Sequence, residues 1–426
     1  MSIATGKSAA QDLARLLAGN LEFHQESSSY ASHSLHAFAA KFPPQLPRLF
    51  IEHLTAEGEK VLDPMVGSGT TIVEAYLLRR RGIGVDIDPL ALHICRVKTT
   101  HIDPAVALEA GDRAIKTANR LLEGGAAVRR FLERLPLESR QFIDFWFAQA
   151  TQKELAALLL AIEREEDDKV QDLLHLVFSS IIMTKSGGVS LARDLAHSRP
   201  HRDHRKVPRN AIVQFRARLL KSAKALKELR LDYNGIEIKE GDCRQLPLED
   251  NSVDLVVTSP PYANAIDYMR AHKFSLVWLG QSLSLLSRLR SAYIGAEKIG
   301  KLFEVPLPRK TATTIETLAG RDPKKAAILK KYFLDMRAGI TEINRVLQPG
   351  RAAIIVVGPS TMRGLRIDTP LCLGEIAEEL GFYLVGIKER KLDRNRRMMP
   401  ARFWNNGQSV IEQRIHEESV IGLVKV

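Results

Sequence analysis

Thr258-Ser259-Pro260-Pro261-Tyr262 closes the run VDLVVTSPPY, and these residues are the best placed in the chain to do chemistry. Val253 to Val257, broken only by Asp254, predicts a buried strand. Two prolines end it, and they neither extend a sheet ladder nor enter a regular turn freely. Such an ending leaves the Ser259 hydroxyl and the Ser259 and Pro260 carbonyls as acceptors at the sheet edge, beside the Tyr262 ring. Acceptors and a ring suit a flat molecule with an exposed amino group, such as a nucleobase. The plainer alternative is a strand terminator with a packed tyrosine.

A second set lies upstream. Asp63-Pro64 leads into Val66-Gly67-Ser68-Gly69-Thr70-Thr71 at the end of another short apolar run. Glycines let a backbone approach a ligand closely, and the helix start beyond them offers unpaired N–H groups. No lysine follows the glycines, so this is not a Walker phosphate loop. Ile72 stands where the dinucleotide fingerprint needs its third glycine. Asp86 lies 19 residues after Gly67, at the second strand's tip, where a carboxylate accepts from ribose hydroxyls. Asp242, after GIEIKEG, is placed to meet an adenine amino group. One aspartate at a strand end is ordinarily a turn or cap residue. Three at successive strand ends fit a ligand with a cationic amino-acid part, a ribose and an adenine, but no phosphate. S-adenosylmethionine meets that description.

The elements that must position these groups follow from periodicity. Glu59 to Pro64 reads as a strand, Thr70 to Arg81 as a helix, Gly82 to Asp88 as a strand and Pro89 to Lys98 as a helix. That is a βαβ unit, hence a parallel sheet with a right-handed crossover. From about Asp103 to Asp232 the pattern is almost wholly helical, with a glycine break at Gly187-Gly188. Strand-like sequence resumes at Gly235 to Asp242, and LQPGRAAIIVVG, GFYLVGIKER and ESVIGLVKV supply the later strands. The expected architecture is an α/β catalytic domain over 1–102 and 236–426, interrupted by a helical, partly basic insertion over 103–235.

Composition narrows the class. At 426 residues, 45% hydrophobic and 26% charged, the chain reads as a soluble globular protein. No apolar run approaches the ~18 residues of a membrane helix. The start, MSIATGKSAAQDLARLL, lacks the features of a signal peptide. Cys95, Cys243 and Cys372 lie far apart without metal-ligand spacing, so a reducing cytoplasm is expected and no metal. The net charge of +12 is concentrated. Arg193 to Arg230 holds twelve Lys/Arg against three Asp/Glu, and Lys388 to Arg402 seven against two. Such clustering suggests a polyanionic partner rather than only a solvated face.

The motifs DPMVGSGTT and TSPPY resemble the cofactor and catalytic motifs of the DNA amino-methyltransferases, which methylate exocyclic nitrogens of cytosine or adenine. HSLHAFAAKFPPQLP (His33 to Pro47) and the tail ESVIGLVKV are similar to other parts of that family, and the resemblance covers about 33–100 and 236–426. It implies a seven-stranded, mainly parallel, doubly wound Rossmann-like sheet. It also implies that Asp63, Gly67, Gly69 and Thr70 hold the cofactor's methionine portion with Phe42 and Pro43. Asp86 would take the ribose, Ile87 flank the adenine and Asp242 take its amino group. Ser259, Pro260, Pro261 and Tyr262 would form the catalytic set, acting on a base flipped out of the duplex.

Ser or Thr before Ser-Pro-Pro-Tyr, here Thr258, leans toward cytosine-N4, whereas adenine-N6 members more often carry Asp or Asn before Pro-Pro. Met65 replaces the family's usual aromatic, and the motif order differs from the permuted order of many cytosine-N4 enzymes. DNA is the expected partner, with Arg193, Arg199, Arg202, Arg205, Lys206 and Arg209 and the tail residues Arg394, Arg396 and Arg397 on its phosphates. The resemblance leaves room for a cognate restriction endonuclease. The other readings are adenine-N6 methylation, guanine-N2 methylation of transfer RNA, and a non-catalytic nucleic-acid-binding protein.

Overall fold

The computed structural model describes residues 2–38, 41–184, 188–193, 200–229, 232–263, 267–296, 305–392 and 417–426. The chain opens with α1 (Ser2–Ala18), a 3-10 turn (Ala31–Ser34) and α2 (Gln45–Leu54). β1 (Lys60–Asp63) is buried after its first residue. The glycine turn, α3 (Thr70–Leu77), β2 (Arg81–Asp86) and α4 (Pro89–Lys98) follow. β1 and β2 pair in parallel from Lys60↔Arg81 to Asp63↔Gly84, which is the expected βαβ unit. α3 stops at Leu77, short of the expected Arg81. Arg79 adopts a left-handed φ of 58° that a helix does not continue through. Arg81 already donates its N–H to the Glu59 carbonyl, beginning the ladder.

Next come α5 (Pro104–Gly124), α6 (Ala126–Glu133), α7 (Leu137–Trp146), α8 (Gln149–Ile162) and α9 (Asp168–Ile182). A small hairpin, β3 (Ala192–Arg193) with β4 (His201–Arg202), precedes α10 (Ala211–Leu226). Local signals start three of these helices: Asp103, Asp167 and Asn210 each cap one by accepting from a first-turn N–H. Their apolar faces do not close on themselves. Leu155, Leu173, Phe178, Phe215 and Leu219 share a core with Leu90, Ile94 and Val97 of α4, so the helices are packed onto the sheet's flank.

The rest comprises β5 (Ile236–Glu240), β6 (Val253–Thr258), α11 (Met269–Leu276), α12 (Leu283–Ala292), α13 (Arg309–Ala319), α14 (Pro323–Val346) and β7 (Leu347–Val357). A hairpin of β8 (Ser360–Met362) and β9 (Leu365–Ile367) leads to α15 (Thr369–Glu379), β10 (Phe382–Lys391) and β11 (Glu417–Lys425).

The main sheet has seven strands in the order β10-β11-β7-β6-β1-β2-β5. β11 is antiparallel to both its neighbours, and the remaining pairs are parallel. Strand residues alternate between faces. Leu62 and Val256 pack with Phe333, Met336 and Ile376 of α14 and α15. Val61, Leu255 and Val257 pack with Leu13, Leu17, Leu46 and Phe50 of α1 and α2. Each such buried aliphatic contributes roughly 1.5–3 kcal/mol, and the two-sided cover is that of a doubly wound sheet.

The chain leaves β1 toward β2 and β6 toward β7, in opposite directions. Ligands of open α/β sheets bind beyond the carboxyl ends of strands at such a switch point. Asp63 ends β1 and Thr258 ends β6. Among the described residues, no helix is long and apolar enough to cross a membrane.

Candidate active site

The two strand tips are tied together. Thr258 Oγ1 donates to Asp63 Oδ1 at 2.7 Å, and the Met65 N–H reaches the same oxygen at 3.2 Å. Burial pushes the Asp63 carboxyl up to about 6 despite these bonds. Asp86 accepts the Gly67 N–H on Oδ2 and the Asp88 N–H on Oδ1, both at 2.9 Å. Burial first, then the negative charges of Asp88 and Asp63, raise Asp86 to about 7.

Gly67 and Gly69 take left-handed φ values of 48° and 79°. A Cβ on Gly69 would lie 2.6 Å from Cys95 Sγ, so the turn sits directly on α4. Lys98, completely buried on α4, donates from Nζ to the Ser68 carbonyl at 2.7 Å. Burial lowers its pKa well below that of an ordinary lysine.

Around these tips lies a cleft of about 900 Å³ of empty space, part of it open to solvent. Phe42, Asp63, Gly67 and Thr70 line it from the glycine-turn side, and Asp86, Ile87 and Asp242 from the β2–β5 side. Ser259 and Pro261 line it from the β6 side. The two motifs, about 190 residues apart in the chain, thus share one cavity at the switch point. Pro43, Gly69, Pro260 and Tyr262 are neighbours of lining residues without being part of the wall.

Asp242 is already engaged. Arg244 Nε and Nη2 contact its two oxygens at 2.9 and 2.6 Å, and Arg244 also reaches Asp335 and the Ala292 carbonyl. Burial opposes ionisation of Asp242, but the guanidinium wins and holds its carboxyl below the usual range. Tyr262 is half-buried and tied at its far end: its hydroxyl donates to Glu418 Oε2 at 2.9 Å.

Several wall residues carry no local sequence signal. Phe38 stacks on Tyr268 with centroids 5.4 Å apart, and both line the cleft. Asp88 caps α4 through Leu90, as Asp-Pro suggests, but its Oδ2 also accepts from His272 Nδ1 at 2.5 Å and Tyr293 Oη at 2.8 Å. Burial raises Asp88, yet His272 and these bonds keep it below the ordinary value.

Of the basic set, Arg193 pairs with Asp203 at 2.5 Å, and the Arg202 guanidinium sits 4.6 Å over the Phe145 ring. Lys206 donates to the Ala192 carbonyl at 2.6 Å, and burial lowers its pKa. Arg205 and Arg209 are exposed. Arg199, Arg394, Arg396 and Arg397 lie outside the described residues. Among the described residues, no group of three or more His, Cys, Asp or Glu side chains is placed to hold a metal.

The donor set fits the cofactor read from the sequence. Four carboxylates (Asp63, Asp86, Asp88 and Asp242) face Lys41 and the already paired Arg244, which favours a cationic ligand. Apolar walls at Phe38, Phe42, Val66 and Ile87 suit a flat ring.

Known proteins agree. A family model described as DNA methylase matches residues 18–96, which include β1, the glycine turn, β2 and most of α4. The type II methyltransferase M.MvaI of Kocuria varians is 24% identical over 404 residues, covering 89% of this chain and 87% of that protein. M.BsoBI of Geobacillus stearothermophilus is 22% identical over 430 residues, covering 88% and 84%. M.AvaI of Anabaena variabilis is 23% identical over 370 residues, covering 79% and 75%.

A mainly parallel seven-stranded sheet with this cleft at its switch point is that of an S-adenosylmethionine-dependent methyltransferase. Within that class, the chain's similarities are to the DNA methylase family over residues 18–96 and to type II methyltransferases over most of the chain.

Proposed function

We propose that this protein is a site-specific DNA methyltransferase of a type II restriction–modification system, acting on the N4 amino group of cytosine. The observation that carries the reading is the meeting of Gly67 and Ser259 in one cleft. Thr258 ahead of Ser259-Pro260-Pro261-Tyr262 supports the choice of base, by its resemblance to the cytosine-N4 pattern.

Phe42, Asp63, Gly67 and Thr70 hold the methionine part of the cofactor, with Pro43 and Gly69 shaping the turn behind them. Asp86 keeps lone pairs beyond its two backbone bonds for ribose hydroxyls. Ile87 flanks the adenine, and Asp242 takes its amino group alongside Arg244. When bound, S-adenosylmethionine supplies a methyl group on a positively charged sulfur.

An exocyclic amine is a poor nucleophile because its lone pair is delocalised into the ring. The Ser259 hydroxyl oxygen and the Pro260 carbonyl accept its two hydrogens and so favour a tetrahedral, more nucleophilic nitrogen. Pro261 stiffens that edge, fixed alignment supplies much of the rate, and the proton that the nitrogen sheds on methylation passes to water. Extruding the base costs a few kcal/mol, and stacking on Tyr262 returns ~1–3 kcal/mol. The helical stretch 103–235 acts as an insertion whose basic surface positions DNA through its phosphates.

Transfer of labelled methyl to DNA, followed by nucleoside analysis, tests this directly. N4-methylcytosine is expected. N6-methyladenine would overturn the base assignment, and labelling of RNA alone the substrate. Ser259→Ala should lower methyl transfer by roughly 10²-fold or more with cofactor affinity kept. A fully active variant would refute the role of the motif.

A further inference from the structure

We infer that Glu418 is a positioning residue for methyl transfer, fixing the catalytic motif through the Tyr262 hydroxyl. This rests on the proposed methyltransferase reading of the Thr258–Tyr262 motif.

Glu418 and Arg390 are opposite one another in the antiparallel β10–β11 ladder, and both are almost fully buried, at 4% and 3% exposure. Their side chains form a close ion pair, Arg390 Nη1 to Glu418 Oε1. Arg390 also donates from Nε to the Leu21 carbonyl at 2.6 Å and from Nη2 to the Glu22 carbonyl at 3.1 Å. A buried charge is tolerated when paired and hydrogen-bonded, and here the guanidinium is held on three sides. Glu418 Oε2 then takes the Tyr262 hydroxyl at 2.9 Å.

The motif is therefore held at both ends. Thr258, at its start, is fixed by its bond to Asp63 and by its ladder position opposite Ile355. Tyr262, at its end, is fixed by Glu418. Ser259, Pro260 and Pro261 are suspended between two anchors, and the acceptors they present are held before any substrate arrives. Small misplacements of reacting groups are costly to rate, so an anchor distant from the chemistry acts on kcat. The bond also accounts for a tyrosine where a phenylalanine would stack as well.

The experiment is a double-mutant cycle with Tyr262→Phe, which removes only the hydroxyl, and Glu418→Gln, which removes the charge but keeps the shape. Each single change should lower kcat about 10-fold or more with cofactor Kd nearly unchanged; the melting temperature should hold in Tyr262→Phe and fall in Glu418→Gln, which leaves the buried Arg390 without its carboxylate. The double variant should lose little beyond either single, because one change removes and the other weakens the same link. Amide hydrogen exchange at Ser259 and Tyr262 should speed up in both singles. If losses in the double variant multiply, or if Tyr262→Phe retains full activity and wild-type exchange, the inference fails. Should Glu418→Gln not fold, Tyr262→Phe decides alone. A wild-type protein without methyl transfer sinks the proposed function, whereas unaltered exchange in a folded Tyr262→Phe variant sinks only the anchor.

Discussion

Asp63 and Asp86 are raised in the folded protein to about 6 and about 7. A carboxyl raised on folding favours the native state fully below its unfolded value of about 4, and that advantage is lost as pH rises through 6 to 7. Above neutrality, both charges are buried and short of cationic partners. A cationic ligand stabilises these ionised forms, so its binding should release protons. Cofactor affinity should therefore climb between about pH 5.5 and 7.5. Isothermal titration in two buffers of different ionisation enthalpy reads the released protons, and Asp86→Asn should remove a large part of them. Equal heats in both buffers would rule out the release. The residues behind this prediction were legible in the sequence because each sits at a strand tip, which periodicity locates. The Asp88 bonds to His272 and Tyr293 were not, since they span 184 and 205 residues and leave no local pattern.

At the scale of elements, the βαβ unit and the late strands follow from apolar periodicity. The missing third glycine of the dinucleotide pattern has a counterpart on the facing strand. A Cβ on Gly84 of β2 would meet Val66 at 2.9 Å and Ile72 at 3.3 Å, so the close approach of helix and sheet is provided from the strand side. Helix ends were less legible. α3 stops early because tertiary pairing claims Arg81, which its helical periodicity does not report. The turn itself makes a sharp prediction. Gly69→Ala imposes a strained φ and a clash with Cys95, and should destabilise the fold by roughly 2–4 kcal/mol, measured by urea denaturation. Combined with Cys95→Ala, which removes the obstructing sulfur, the loss should be smaller than the two single losses added.

For the whole molecule, the sequence indicated one sheet and a helical interruption, but not how the interruption docks. Its helices bury Phe215 and Leu219 in the same core as Leu90 and Phe274, a packing that only the assembled fold reveals. Basic residues were equally ambiguous, because composition counts charges without showing which are satisfied internally. Arg193 and Lys206 have internal partners, whereas Arg205 and Arg209 face solvent. Replacing the latter two by glutamine should weaken DNA binding uniformly across sequences. It should also flatten the slope of log K against log salt by about 0.9 for each phosphate no longer neutralised. Titrations at several salt concentrations check this, and an unchanged slope would place the DNA elsewhere.

Lys98 gives the cleft a further property. An interior amine with lowered proton affinity, bonded to the Ser68 carbonyl, adds hydrogen bonding beneath the turn and opposes an incoming cation less than an ordinary lysine would. The electrostatic pull of the aspartates should then favour a charged sulfur centre over its neutral thioether counterpart. Demethylated cofactor, having lost its charge with its methyl group, should therefore show a higher Kd than fresh cofactor when the two are titrated side by side. Arginine at position 98 would carry a permanent charge and should blunt that discrimination, leaving turnover more prone to product inhibition.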